Sequence, residues 1–483
     1  MTPHACQALI AGAGPAGLAS ALMLRQRGWR DIVVLEQQPS PAAFERGRAF
    51  NYQLDGRGQQ ILEAVGFDGD TLRRYGLPND RFTQVIVAAD GSARRLSFPA
   101  LLPGRKTPYW MTRARLLEML RERLAAVDTD GAVTLMHDQA VTGLRRDEGG
   151  ALVVESRAGD GTGRRFRPRL ILACDGLKSA VRQSLQQLAP DGAARFAMTR
   201  RPSPSAELAY KVLRLPPTFG VCGGDLAVDD HTLAYCFLSR YREQNRRMAL
   251  FALPVPHATE PRNINIILHR NHAFWQLESG ADVRRWLDDA FPQLDFERLL
   301  APGELDDVAA LPLACFPAPQ YSNGVHFSAA AEAGTADVLL LGDAARAFPP
   351  DLGMGVNAAL EDVFILGECL GARDGDISGA CADVEARRLP ENRALVGLVR
   401  RVHPYQYNQV PWRLKLWFLK FLCQRRLHRL SGGRVPLPGF VLSQKHLLDF
   451  VTMDRQTRQA DRAFYACVAL VLGVPLLLIL LAR

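Results

Sequence analysis

Gly12, Gly14 and Gly17 stand in G-x-G-x-x-G spacing within AGAGPAGLASALMLRQRG, and Glu36 closes the apolar run that follows, IVVLE. That spacing serves pyrophosphate binding: one glycine makes a tight turn, one lets backbone approach the phosphates, and one lets a helix pack on its strand. Ala16, within the same turn, stands with the three glycines among the cofactor-binding residues. A helix starting at Pro15 would aim its free N–H groups and partial positive charge at the phosphates. Glu36, ending the second strand, is placed to accept hydrogen bonds from a ribose, which asks for FAD or NAD without a 2′-phosphate.

Two later strand ends carry matching chemistry. LILACDG stops at Asp175-Gly176, with Ser179 and Arg182 following, and VLLLGD stops at Asp343. An aspartate at a strand end can hold a sugar-chain hydroxyl. Gly353-Met354-Gly355 then opens a helix near Val356 and Asn357, where exposed N–H groups can face a partly anionic ring. Two cations are candidates for the same site. Arg48 lies in a loop where it could meet a dinucleotide or simply face water. Arg113 occupies the first turn of the helix in MTRARLLEMLRERLAAV, a placement the helix dipole disfavours unless an anion is near. GDGTG (159–163) imitates a phosphate loop, but it separates two strand-like runs with no helix after it, so it reads as a hairpin turn.

These elements sit in a chain of 483 residues, enough for two or three domains. RFTQVIVAADGSARRLSF alternates as a hairpin turning at Asp90-Gly91, and AELAYKVLRLP, TLAYCFLSR, RMALFALPV and NINIILHR alternate as antiparallel sheet. The nine cysteines lack C-x-x-C or zinc spacing, so they indicate neither a dithiol centre nor a metal site. The N-terminal apolar run has no basic region ahead of it, so it reads as strand and not as signal peptide.

Charge is concentrated late. Positions 400–462 hold 13 Lys or Arg against 3 Asp, a local net of +10, while the whole chain carries +9. A basic tail on a near-neutral body argues against nucleic acid and for a membrane surface. PWRLKLWFLKFLCQRRLHRL has the aromatic and basic make-up of an interfacial helix, though a helix packed on the body with a basic outer face fits as well. Residues 463–482 then run without a charge between Arg462 and Arg483, about 30 Å as a helix, the expectation for one membrane span with the body on the cytosolic side.

GAGPAG, CDGLKSAVR and GDAARAFPPDLGMGVNAALED, in this order, resemble the single-component FAD aromatic hydroxylases. GRAFNYQLDGRGQQILEAVG, the Tyr405-Gln406-Tyr407 segment and the hydrophobic tail bring the resemblance closest to the kynurenine 3-monooxygenase branch. It implies an α/β fold. A Rossmann-like FAD-binding domain (1–75, 105–190 and 330–375) would interleave with an antiparallel-sheet substrate domain (76–104 and 191–329). A basic helical segment (376–462) and a transmembrane anchor (463–482) would follow. It also implies FAD contacts from Arg48, Arg113, Asp175, Asp343 and the backbone of Val356 and Asn357. NADPH or NADH would serve as a transient donor, O2 would add to give a flavin C4a-hydroperoxide, and no side chain would be needed as catalyst.

The departures concern substrate. Where that branch places an arginine and a tyrosine on a carboxylate, this chain has Gln84 and Phe98, with Arg81 near enough to substitute. An asparagine is replaced by Gln406 beside Tyr407, and a late tyrosine by Leu448. Arg346 stands for a histidine and Met354 for a glutamine in the loop under the flavin. An unpartnered charged ligand group costs several kcal/mol when desolvated, so these residues suit a less acidic substrate. The readings left open are kynurenine itself, an epoxidase or hydroxylase of a lipophilic compound, and a flavin-binding protein without hydroxylase activity.

Overall fold

The computed structural model describes residues 2–41, 51–98, 102, 105–223, 226–330, 334–405, 407 and 410–481; of 98, 207 and 472–481 it describes the backbone alone. Five parallel strands form the centre of an eight-stranded sheet, in the spatial order Val133–Met136, Ile32–Leu35, His4–Ala11, Gly163–Ala173, Ala336–Leu340. The order reverses at His4–Ala11, and in sheets of this kind ligands bind at the carboxyl ends of the strands beside such a reversal. The strands read as continuous Val, Ile, Leu and Ala because both faces are covered, and Leu9, Ile10, Val34, Ile171 and Leu339 are wholly buried.

The glycine-rich segment folds as its spacing requires, with the helix Pro15–Gln26 following the first strand and burying nine consecutive residues from Ala16 to Leu24. GDGTG is a hairpin tip joining Leu152–Arg157 to Gly163–Ala173 in antiparallel register.

A seven-stranded sheet forms the second layer, ordered Ala314–Cys315, Leu208–Leu215, Arg262–His269, Ala249–Ala252, Ala234–Leu238, Phe82–Val87, Ala93–Phe98. The early hairpin turning at Asp90-Gly91 forms its edge. The sheet departs from the expected antiparallel pattern at one place: Ala234–Leu238 pairs with Phe82–Val87 in parallel. Two strands from segments this far apart need no tight turn, so chain direction is not constrained to alternate. Its own apolar core includes Leu213, Phe237, Ile266 and Phe291.

A third cluster joins the helix Gly355–Ala372 to the C-terminal segment: Met354, Ala358, Leu395, Leu398, Leu442, Phe450 and Met453, with Leu352 and Leu448 against it. Phe450 and Met453 open a single helix, Phe450–Leu481, and are fully buried. The separate anchor expected over 463–482 is therefore revised, since the helix begins earlier and its first turns dock on the body. Among the described residues no helix is long and apolar enough to cross a membrane. Residues 482–483, and the side chains from 472 onward, lie outside the described residues.

Candidate cofactor and substrate site

Hydrogen bonds draw the three strand ends together. Gly12 N–H donates to the Leu35 carbonyl at 2.7 Å, Cys174 N–H to the Ala11 carbonyl at 2.9 Å, and Leu341 N–H to the Ala173 carbonyl at 3.0 Å. The glycine turn, Asp175 and Asp343 are thus neighbours. Gly12 has a φ of +95°, and a Cβ there would lie 2.6 Å from the Cys174 carbonyl oxygen; at Gly17 it would run into the Gly12 carbonyl. At Gly14 it would meet nothing within 4 Å. Two glycines are required by packing, and the third leaves backbone open to a ligand. Ala16 is buried beneath the turn.

Glu36 accepts from Ala13 N–H at 2.8 Å through one carboxylate oxygen and from Gln38 N–H at 2.9 Å through the other. These bonds aim the acid at the turn, and each oxygen keeps lone-pair capacity for a hydroxyl. Asp343 is exposed between buried Gly342 and Ala344. Its turn is fixed by Arg182, which donates to the carbonyls of Ala344 and Leu177, both at 2.8 Å. Asp175 accepts from Val181 N–H at 3.3 Å through Oδ2, while its Oδ1 is buried with no partner among the described residues. Burial raises its carboxyl above the usual range, against hydrogen bonds from Ser179 and the following backbone.

Gly353, with φ +62°, and Gly355 both face open space. The Asn357 side chain is committed elsewhere: Nδ2 donates to the Gln53 carbonyl at 2.8 Å and Oδ1 accepts from Asp55 N–H at 3.0 Å. It pins the helix Gly355–Ala372 to the strand Asn51–Leu54, so only backbone at Asn357 is free of that task. Both amide atoms of Asn51 are buried without a partner among the described residues. Arg113 begins the helix Arg113–Val127, directly after Thr112, which pairs with Asn51. Arg48 lies outside the described residues. Open glycines, an exposed acid and orphaned buried polar atoms on adjoining strand ends and turns are donors and acceptors of the kind that would suit FAD.

The expected substrate residues are spread more widely. Gln84 pairs with Leu96 and Ala234 in the seven-stranded sheet, two residues from Cys236 along the partner strand. Phe98 ends the edge strand opposite Phe82, whose ring lies 6.4 Å from Trp110. Arg81 is exposed at the start of the hairpin. Tyr407 lies 6.2 Å from Phe316, which stacks on Tyr210 at 4.9 Å. Leu448 and Leu352 each pack against the apolar cluster that holds Met354, and the Leu448 carbonyl accepts from Arg57 Nη2 at 2.7 Å. Gln406 lies outside the described residues. Tyr407 and Leu448 are therefore the two that the fold brings to the loop ahead of Gly355.

A buried charge network was missed by the sequence reading. Arg388 donates to Asp362 at 2.7 Å and to Glu361 at 2.9 Å; Arg346 donates to Asp362 at 2.7 Å; Arg57 pairs with Glu361, and Arg388 with Glu391. Asp362 also accepts from Gly342 N–H at 2.9 Å, which ties the network to the Asp343 turn. Two adjacent acids in the otherwise apolar AALEDVFILG were the available signal, because such acids must be paired. The place of Arg346 follows: it neutralises Asp362 and is 2% exposed. Asp351 and Ser205, bonded at 2.7 Å, gave no comparable sequence signal.

The profile of a family described as "FAD binding domain" matches residues 5–199 and 241–375. The chain is 28% identical over 409 residues to a kynurenine 3-monooxygenase of Salinispora arenicola, covering 81% of this chain and 78% of that one. It is 24% identical over 429 residues to a kynurenine 3-monooxygenase of Sus scrofa, covering 88% and 80%. Among solved structures, PqsL of P. aeruginosa in complex with 2-aminobenzoylacetate has the same fold, with a TM-score of 0.52, 22% identity, and coverage of 84% of this chain and 97% of that one.

Proposed function

This chain belongs to the FAD binding domain family and is an FAD-dependent monooxygenase; we propose that it hydroxylates an aromatic amine or other small aromatic compound. The observation that supports this is the meeting of the glycine turn, Asp175 and Asp343 at adjoining strand ends, with Gly14, Gly353 and Gly355 left open, a set that suits FAD. Bound FAD would supply the redox chemistry, hydride acceptance from a nicotinamide donor and O2 activation.

The chain's residues hold and orient. Glu36 meets the adenosine ribose, backbone at Gly12–Gly17 the pyrophosphate, Asp343 the ribityl chain, and backbone at Val356 and Asn357 the ring. Arg48, Arg113 and Asp175 belong to the same cofactor site in this reading. The units 1–75, 105–190 and 330–375 hold FAD, while 76–104 and 191–329 supply the sheet that covers the substrate. Tyr407 and Leu448 supply a ring and apolar surface that would exclude water from the reacting atoms, and Phe98 belongs to the same substrate set in this reading.

A lipophilic substrate is the second reading, favoured by Leu448, Leu352 and Met354 lying in one apolar cluster at the ring end. The C-terminal end is the proposed membrane attachment, with the body on the cytosolic side. In its favour are the uncharged run 463–482 and the exposed Trp412, Leu416, Phe418 and Leu419 on the basic helix Pro411–Leu430.

The experiment is NADPH oxidation by detergent-solubilised, FAD-loaded full chain with and without L-kynurenine or its decarboxylated relative kynuramine. Stimulation of at least one compound's turnover, with a product heavier by one oxygen, supports the reading. Oxidation that yields peroxide alone with every aromatic compound and lipid-like compound tried contradicts it.

A further inference from the structure

We propose that Asp351 sets the charge of the accepted substrate, so that the site takes a neutral or cationic aromatic amine and turns carboxylates away. The inference rests on the hydroxylase reading above and names the substrate class for the same site.

Asp351 lies in the turn Pro350–Leu352, directly ahead of Gly353 and Gly355, and is 1% exposed. Its Oδ1 accepts from the Ser205 hydroxyl at 2.7 Å, and Ser205, itself wholly buried, reaches the Pro404 carbonyl at 3.5 Å. The acid therefore stands where the loop ahead of Gly355, the entry to the seven-stranded sheet and the segment carrying Tyr407 meet. Its Oδ2 is buried with no hydrogen-bond partner, and no cation pairs with the carboxyl, among the described residues. The neighbouring buried acids Glu361 and Asp362 are held by Arg57, Arg346 and Arg388. An isolated buried carboxyl is costly, so its lone state here calls for a reason that packing does not supply.

Rings complete the setting. Tyr210, Phe316 and Tyr407 form a ladder, and burial together with the Asp351 charge pushes the Tyr407 phenol above its ordinary value. Aromatic faces with one negative group suit a flat amine, since ring faces attract cations and the carboxylate accepts N–H. The positions expected to receive a carboxylate point the same way, for Gln84 is neutral and Phe98 has no polar side-chain atom. Loss of a cation and gain of an anion are separate changes with one consequence. A ligand carboxylate ~6 Å from Asp351 at an effective dielectric of ~20 would bind roughly 100-fold more weakly than its uncharged counterpart.

L-kynurenine and kynuramine differ only in the carboxylate. Their binding to the FAD-loaded full chain is read from perturbation of the flavin absorbance at about pH 8, so the readout does not depend on turnover. Kynuramine is expected to bind at least about tenfold more tightly, Asp351→Asn to reduce the ratio to within about threefold, and Ser205→Ala, which keeps the charge, to preserve it. Equal or tighter binding of L-kynurenine, no response to kynuramine, or an unchanged ratio in Asp351→Asn overturns the proposal. Failure of the hydroxylase reading is separate, because it would show as peroxide without oxygenated product whatever the binding ratio.

Discussion

Arg388 Nε donates to Asp362 Oδ1 at 2.7 Å, and both side chains are 2% exposed. Because the other Asp362 oxygen accepts from Gly342 N–H and Arg346, this pair connects the helix Ile377–Val402 to the turn that presents Asp343. Arg57 extends the connection to the Leu448 carbonyl and lies over the Phe450 ring at 4.2 Å. The network is thus a brace beneath the turn that carries Asp343, and it also holds the C-terminal segment.

Breaking the brace leaves charge unpaired. Arg388→Met should destabilise the chain by about 3–5 kcal/mol, the usual cost of removing one partner of a buried ion pair. Urea unfolding of the FAD-free protein measures it, and a loss below about 1 kcal/mol would show the pair to be dispensable.

The glycines separate by role. Gly14→Ala should leave far-UV circular dichroism and unfolding unchanged but weaken FAD binding by about tenfold or more, since the added methyl enters only ligand space. Gly17→Ala should fail to fold, because its methyl meets the Gly12 carbonyl. Similar behaviour of the two variants would remove the distinction.

Asp351 gives a pH signature. Burial raises its carboxyl from 3.8 to about 6, with the Ser205 hydrogen bond pulling down. The folded chain then holds this proton more tightly than the unfolded chain. The resulting stability is complete below 3.8 and is lost as pH rises through about 6. Relative to wild type, Asp351→Asn should gain about 3 kcal/mol between the acid and neutral ends of that window. Parallel stability–pH curves would contradict the assignment.

The C-terminal end makes a vesicle prediction. Full chain should co-sediment with anionic lipid vesicles. A chain ending at Arg462 retains Phe450, Met453 and Ala460, which are buried against the body, so it should fold yet lose most of that binding. Retained binding would move the attachment to the helix Pro411–Leu430.

The cofactor groove was legible because each element carries a local signature: glycine spacing for the turn, apolar runs for buried parallel strands, and acids at strand ends. The strand ends and helix start that carry Glu36, Asp343 and Gly355 could be placed from that alone. The substrate side was not, since Gln84 and Tyr407 come from segments joined only in space, and alternation could not reveal that Ala234–Leu238 pairs in parallel with Phe82–Val87. Asp351 reads locally as a turn residue between proline and glycine; its isolation is visible only when Ser205 and the Tyr407 segment close around it. The anchor was read from composition, which could not show that the helix begins at Phe450 and docks its first turns.

Turnover under ¹⁸O2 tests the central claim most directly. FAD-loaded chain, NADPH and kynuramine should give a ring-hydroxylated product carrying one ¹⁸O atom, with NADPH consumption stimulated by the amine. Consumption indifferent to every aromatic compound supplied, with all the label recovered as hydrogen peroxide, would contradict the account.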